Sequence, residues 1–155
     1  MNRLTKGNSL RVFMVRRFSD DQLFAMKFIK PANKQEYQNI KNEVAIMKMN
    51  GKCILNCIDA YDFSEKLWIV HPLMDMGNLK YIIKERKGNG AIDEKICAYI
   101  LRNILDGINY LHQKGITHRD IKSENILVNS EGEIKLSEFG YQKRTSVCYM
   151  APELI

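Results

Sequence analysis

The sequence predicts an α+β protein, strand-rich in its first half and helical in its second. Three observations predict it. Short apolar runs rich in β-branched and aromatic residues crowd residues 10 to 74. A helical apolar stripe runs through residues 94 to 113. Between them "PLMDMGN", residues 72 to 78, marks a change of character.

The elements follow in order. "LRVFMVRRF", residues 10 to 18, predicts a strand, and the polar "SDDQ" after it predicts a turn. "LFAMKFI", residues 23 to 29, then returns as the second strand of a hairpin. Residues 34 to 49 predict a helix, because Tyr37, Ile40, Val44 and Met47 recur at three- and four-residue spacing. "CILNCIDAYDF", residues 53 to 63, and "KLWIVHPLM", residues 66 to 74, predict two more strands. The helix over 94 to 113 carries Ala98, Leu101, Ile104, Leu105, Ile108 and Leu111 on one face, and Gly115 supplies its stop. "ILV" and "IKL", residues 126 to 128 and 134 to 136, predict two short strands joined by the turn "NSEGE".

The 155 residues suit one domain, and 45% hydrophobic with 27% charged residues is ordinary for a globular chain. No apolar run approaches the ~20 residues that span a bilayer, so no membrane partner is expected. "MNRLTKGNSL" lacks the apolar core of a secretion leader. Cys53, Cys57, Cys97 and Cys148 show neither CxxC nor zinc spacing, so free thiols in the cytoplasm are expected, with the nucleus also open. The net charge of +6 is concentrated: residues 1 to 50 hold ten basic and four acidic side chains, and the remainder is balanced. Such a segment could attract phosphate or nucleic acid. The sequence has no zinc-finger spacing or RNA-binding signature, so a solvated basic surface is the expectation and nucleic acid is not.

The chemistry concentrates in "HRDIKSEN", residues 118 to 125. Phosphoryl transfer needs a clamp on the nucleotide phosphates, a metal to neutralise charge, and a carboxylate to orient the attacking hydroxyl. Asp120 is the candidate base, Asn125 the candidate metal ligand, and Lys122 between them can steady the transferring phosphate.

With these residues the chain resembles the catalytic domain of eukaryotic protein kinases over nearly its whole length. "KLWIVHPLMDMGNL" and "AYILRNILDGINYLH" make it most similar to Ser/Thr kinases of the germinal-centre-kinase type and their pseudokinase relatives. The resemblance implies a bilobal fold: a small-sheet lobe over 1–71, a hinge over 72–78, and a partial helical lobe over 79–155. It implies ATP with Mg2+ as cofactor, Mn2+ being the alternative that the longer Glu138 side chain would tolerate better, and a protein substrate bearing Ser or Thr. It also implies that Lys27 in "FAMK" holds the nucleotide phosphates and that Glu43, sixteen residues on, pairs with it. Val12, Ala25 and Leu127 would sandwich adenine. His71 falls at the gatekeeper position, where a satisfied, semi-buried imidazole is expected rather than a catalytic one. Leu73 and Met74 fall on the hinge. "YMAPELI" would close the activation segment, with Glu153 in a structural salt bridge and Ser146 favouring Ser/Thr specificity.

Four departures qualify the resemblance. In "TKGNSLRV", residues 5 to 12, Gly7 alone remains of the phosphate-loop glycines; Thr5 and Leu10 hold the other two positions, which predicts weaker nucleotide binding. Glu138 stands thirteen residues past Asn125, where the family has a metal-binding aspartate, and Phe139 and Gly140 follow it in register. Only ten residues separate Gly140 from Ala151, roughly half the usual span, which leaves little room for a regulatory loop on Arg119. Finally, the later helices of the larger lobe are expected to be absent, leaving Leu101, Leu105 and Ile108 with apolar surface for a regulatory partner. The two readings are therefore a Ser/Thr kinase and, alternatively, a nucleotide-binding pseudokinase that acts as a scaffold or allosteric module.

Overall fold

The computed structural model describes residues 2–3, 11–64, 66–86, 92–138 and 149. They form two compact units, Met1–Asn50 with Leu55–Leu73, and Gly51–Ile54 with Met74–Ile155.

The first unit is an antiparallel sheet with one helix. Its strands are β1 (Asn2–Arg3), β2 (Arg11–Arg16), β3 (Leu23–Ile29), β4 (Asp59–Phe63) and β5 (Lys66–Pro72), in the order β1-β2-β3-β5-β4. Val12 lies opposite Lys27, and Ala25 opposite His71. Because side chains alternate along a strand, Val12, Ala25, Lys27 and His71 share one sheet face. Helix α1 (Lys34–Met47) starts at Asn33, whose side chain accepts from the Glu36 N–H at 2.8 Å; Glu36 reaches back to the Ala32 N–H at 2.6 Å. These bonds satisfy N–H groups that the first turn leaves open. The buried face of α1 is Ile40, Glu43, Ile46 and Met47; Tyr37 and Val44, predicted on the apolar face, are half-buried.

The strand predicted over 53 to 63 is corrected: only Asp59–Phe63 joins the sheet. Burial explains the difference. Cys53, Ile54, Leu55 and Cys57 are all buried, whereas a one-faced strand would expose alternate residues. Their backbone bonds go elsewhere, Ile54 N to Gly51 O and Cys57 N to Met47 O. The strand predicted over 66 to 74 ends at Pro72, which has no N–H to extend a ladder.

The second unit holds a three-stranded sheet of β6 (Gly77–Asn78), β7 (Ile126–Val128) and β8 (Ile134–Leu136). Helix α2 (Leu79–Glu85) was not foreseen; Asn78 caps it by accepting from the Tyr81 N–H at 2.8 Å. Helix α3 (Glu94–Gln113) ends as expected at Gly115, which adopts φ +71°. Gly115 N bonds His112 O and Ile116 N bonds Leu111 O, the pair of closures that a left-handed cap allows.

The α3 stripe is only partly buried. Ile104 and Leu111 are buried, while Leu101 is 58% and Leu105 63% exposed. Gly107, absent from the predicted stripe, sits at the closest approach. A Cβ there would lie 2.9 Å from Leu136 Cδ1 and 3.1 Å from Cys53 O. The missing side chain lets α3 press on β8, whose Leu136 N also donates to Cys53 O at 2.8 Å. That packing fixes the exit of β8, from which Ser137 and Glu138 follow. Among the described residues, no helix is long and apolar enough to cross a membrane.

Candidate active site

The second unit gathers the chemistry of "HRDIKSEN". Lys122 Nζ lies 2.7 Å from Asp120 Oδ2, and the two side chains are only 12% and 13% exposed. Asn125 Nδ2 donates to the same Oδ2 at 2.9 Å and to Asp120 O at 2.8 Å. A single turn of 3₁₀ helix, Ser123–Asn125, turns the chain back so that Asn125 meets Asp120 across five residues. One carboxylate oxygen thus takes an ammonium and an amide, which orients the group without its having to search rotamers. The two donations commit the Asn125 nitrogen, so its amide oxygen points away from Asp120.

That oxygen matters for a metal. The Asn125 main-chain carbonyl accepts from Ser137 N at 2.9 Å and Ser137 Oγ at 3.2 Å. Buried Ser137 thereby ties the start of the Glu138 segment to Asn125. Glu138 itself takes φ +58°, a left-handed conformation that residues other than glycine seldom adopt. An amide oxygen and a carboxylate are the donors a hard divalent cation prefers, so the residues present fit such an ion. Neither Ser137 nor its tie was anticipated, because a lone serine before a glutamate carries no periodicity or spacing.

His118 supports the cluster from below. It is buried, and its Nδ1 accepts from the Asp120 N–H at 3.3 Å, so the proton of the neutral ring resides on Nε2. Burial pushes its pKa below the ordinary 6.5, with the Asp120 and Glu138 carboxylates opposing in part. The unfolded chain therefore binds this proton at higher pH than the folded one. The contribution to stability is present above pH 6.5 and is lost as the pH falls towards the lower folded value. Urea midpoints measured from pH 7 to pH 5 should fall, and His118→Gln should flatten that slope.

The first unit holds the other candidates. Lys27 and Glu43 are each 4% exposed, one on β3 and one on the buried face of α1. His71 is also buried; its Nδ1 bonds Asn56 O at 2.9 Å, so this nitrogen carries the proton and donates. Val12, Ala25 and Leu73 are half-buried. In the second unit Met74 is buried and Leu127 half-buried, the latter paired with Asn78 across β6 and β7. Gly7, Thr5, Leu10, Ser146, Glu153 and the ten-residue segment lie outside the described residues.

A family model described as "Protein kinase domain" matches residues 1–155. The serine/threonine-protein kinase pakA of Dictyostelium discoideum is 33% identical, covering 100% of this chain and 14% of that protein. Shk1/pak1 of Schizosaccharomyces pombe is 32% identical, over 99% of this chain and 25% of its own length. PakB of Dictyostelium discoideum is 34% identical, over 99% and 19%. The chain therefore spans a quarter or less of these relatives. The pakA alignment runs over 168 residues against the 155 of this chain, so that relative carries insertions that this chain lacks.

Proposed function

The chain belongs to the protein kinase domain family, and from that premise we propose that it binds ATP with a divalent cation and phosphorylates serine or threonine in a protein substrate. The observation that carries the reading is Asp120 held by Lys122 and Asn125 within 2.9 Å. Asp120 takes the proton of the attacking hydroxyl as the new O–P bond forms and the bond from Pγ to the bridging oxygen breaks, with ADP leaving. Lys122 places positive charge beside the transferring phosphoryl group, where charge develops. Lys27, with Glu43, would hold the remaining phosphates, and Val12, Ala25, His71 and Leu73 would line the base, as the family resemblance implies. Asn125 and Glu138 would hold the cation, which when bound neutralises charge on the phosphate oxygens.

The oxygen-only donor pair favours magnesium, with manganese as the better-tolerated ion if Glu138 sits too far forward. Cys53, Cys57 and Cys97 are free thiols among the described residues, which suits a reducing compartment such as the cytoplasm. A pseudokinase reading draws on Glu138 and its left-handed backbone. Transfer of phosphate from labelled ATP to a generic basic protein, run in magnesium and in manganese, decides between the two. Turnover in either metal supports the kinase. Nucleotide-dependent thermal stabilisation with no turnover in either metal supports the pseudokinase.

A further inference from the structure

We propose that Tyr37 and Asp62 form a brace that holds α1 where Glu43 can serve Lys27, which makes Tyr37 a positioning residue for nucleotide binding. The proposal rests on the phosphotransfer reading for the roles of Lys27 and Glu43. Hydrogen bonds tie helix α1 to its unit near both ends. Near its end, Met47 O accepts from the Cys57 N–H at 3.3 Å. Near its start, the Tyr37 hydroxyl donates to the Asp62 carboxylate on β4. Lys41 Nζ donates to the Tyr37 oxygen at 3.3 Å and lies 5.0 Å from the ring centroid, so one ammonium meets both the hydroxyl and the ring.

Strand register says which sheet face the brace grips. Asp62 lies opposite Leu67, and Leu67 opposite Ile29, two residues from Lys27. Alternation puts Asp62 and Lys27 on one face. The brace therefore draws α1 towards the surface that carries the buried lysine. Glu43 lies between Tyr37 and Met47, and it too is buried. Burial at this level demands a close, well-aligned partner for each charge. A misplacement of 1 Å at such a group can cost about 100-fold in rate. A rotation of α1 about its Met47 anchor would produce one.

A surface hydrogen bond that merely adds stability is the competing account, and exposure argues against a large stability term. Asp62 is exposed, so removing the tyrosine hydroxyl leaves it hydrated at little cost. The functional consequence should exceed the stability loss. In the full-length protein, Tyr37→Phe should weaken ATP affinity and lower kcat/KM for ATP about tenfold, while the melting temperature changes little. Asp62→Ala should match it, and Asp62→Asn, which keeps an acceptor, should recover most of the loss. In a Glu43→Gln background, Tyr37→Phe should weaken ATP binding no further. Multiplicative losses in that cycle would overturn the proposal, as would wild-type ATP affinity in Tyr37→Phe. Hydrogen exchange along α1 reads the brace independently of turnover. Faster exchange through Glu43 in Tyr37→Phe supports it, and unchanged exchange overturns it. A wild-type protein with neither nucleotide binding nor transfer counts against the phosphotransfer reading instead.

Discussion

Asp120→Ala is expected to lower phosphotransfer about 1000-fold, the middle of the range for a positioned general base. Two effects of the substitution must be kept apart. It removes the proton acceptor, and it also leaves the Lys122 ammonium and the Asn125 amide without the oxygen they share. With both Asp120 and Lys122 mostly buried, the second effect destabilises the site, though residual water contact limits the cost. Asp120→Asn separates them. Its amide oxygen can still accept from Lys122 and Asn125, so the loop keeps its shape while the base is lost. Both variants should therefore lose activity similarly, whereas only Asp120→Ala should show a lowered melting temperature. Single-turnover transfer from labelled ATP measures the first, and thermal melting the second. A rate in Asp120→Asn within tenfold of wild type would remove Asp120 from the role of base.

The sequence carried this cluster because its chemistry is local. Asp120, Lys122 and Asn125 fall within six residues, and their types and spacing survive any error in placing the surrounding elements. The α3 stop was legible for the same reason, since Gly115 announces a left-handed cap by itself. The segment from Cys53 to Cys57 was not legible as a loop. Its apolar composition reads as a strand, and only tertiary burial of nearly every residue shows that it is not a strand of the five-stranded sheet. Helix α2 escaped notice because its seven residues include no buried side chain and so leave no apolar stripe. Gly107 escaped because the feature that matters there is the absence of a side chain against Leu136 and Cys53. Ser137 and the brace at Tyr37 depend on partners twelve and twenty-five residues away, beyond any short-range pattern.

Glu138→Asp is expected to raise the magnesium-dependent rate by up to about 100-fold, the scale on which a 1 Å error in placement is felt. Ser137 fixes where the residue begins, through two bonds to Asn125 O, so the backbone cannot retreat to absorb the extra methylene. The glutamate carboxylate must fold back or displace the ion, and magnesium tolerates neither, since it demands near-ideal octahedral geometry at about 2.0–2.1 Å. Manganese should tolerate the longer reach better, so the gain on reversion should be smaller in manganese than in magnesium. The backbone does not oppose the change. Glu138 holds φ +58°, and aspartate enters the left-handed region more readily than glutamate, so the variant should melt no lower than the wild type. Steady-state rates in the two metals, taken at saturating ATP, give the ratio directly. Equal gains in both would show that ionic fit is not what limits the glutamate. No gain in either, with ATP affinity unchanged, would place the defect outside the metal site.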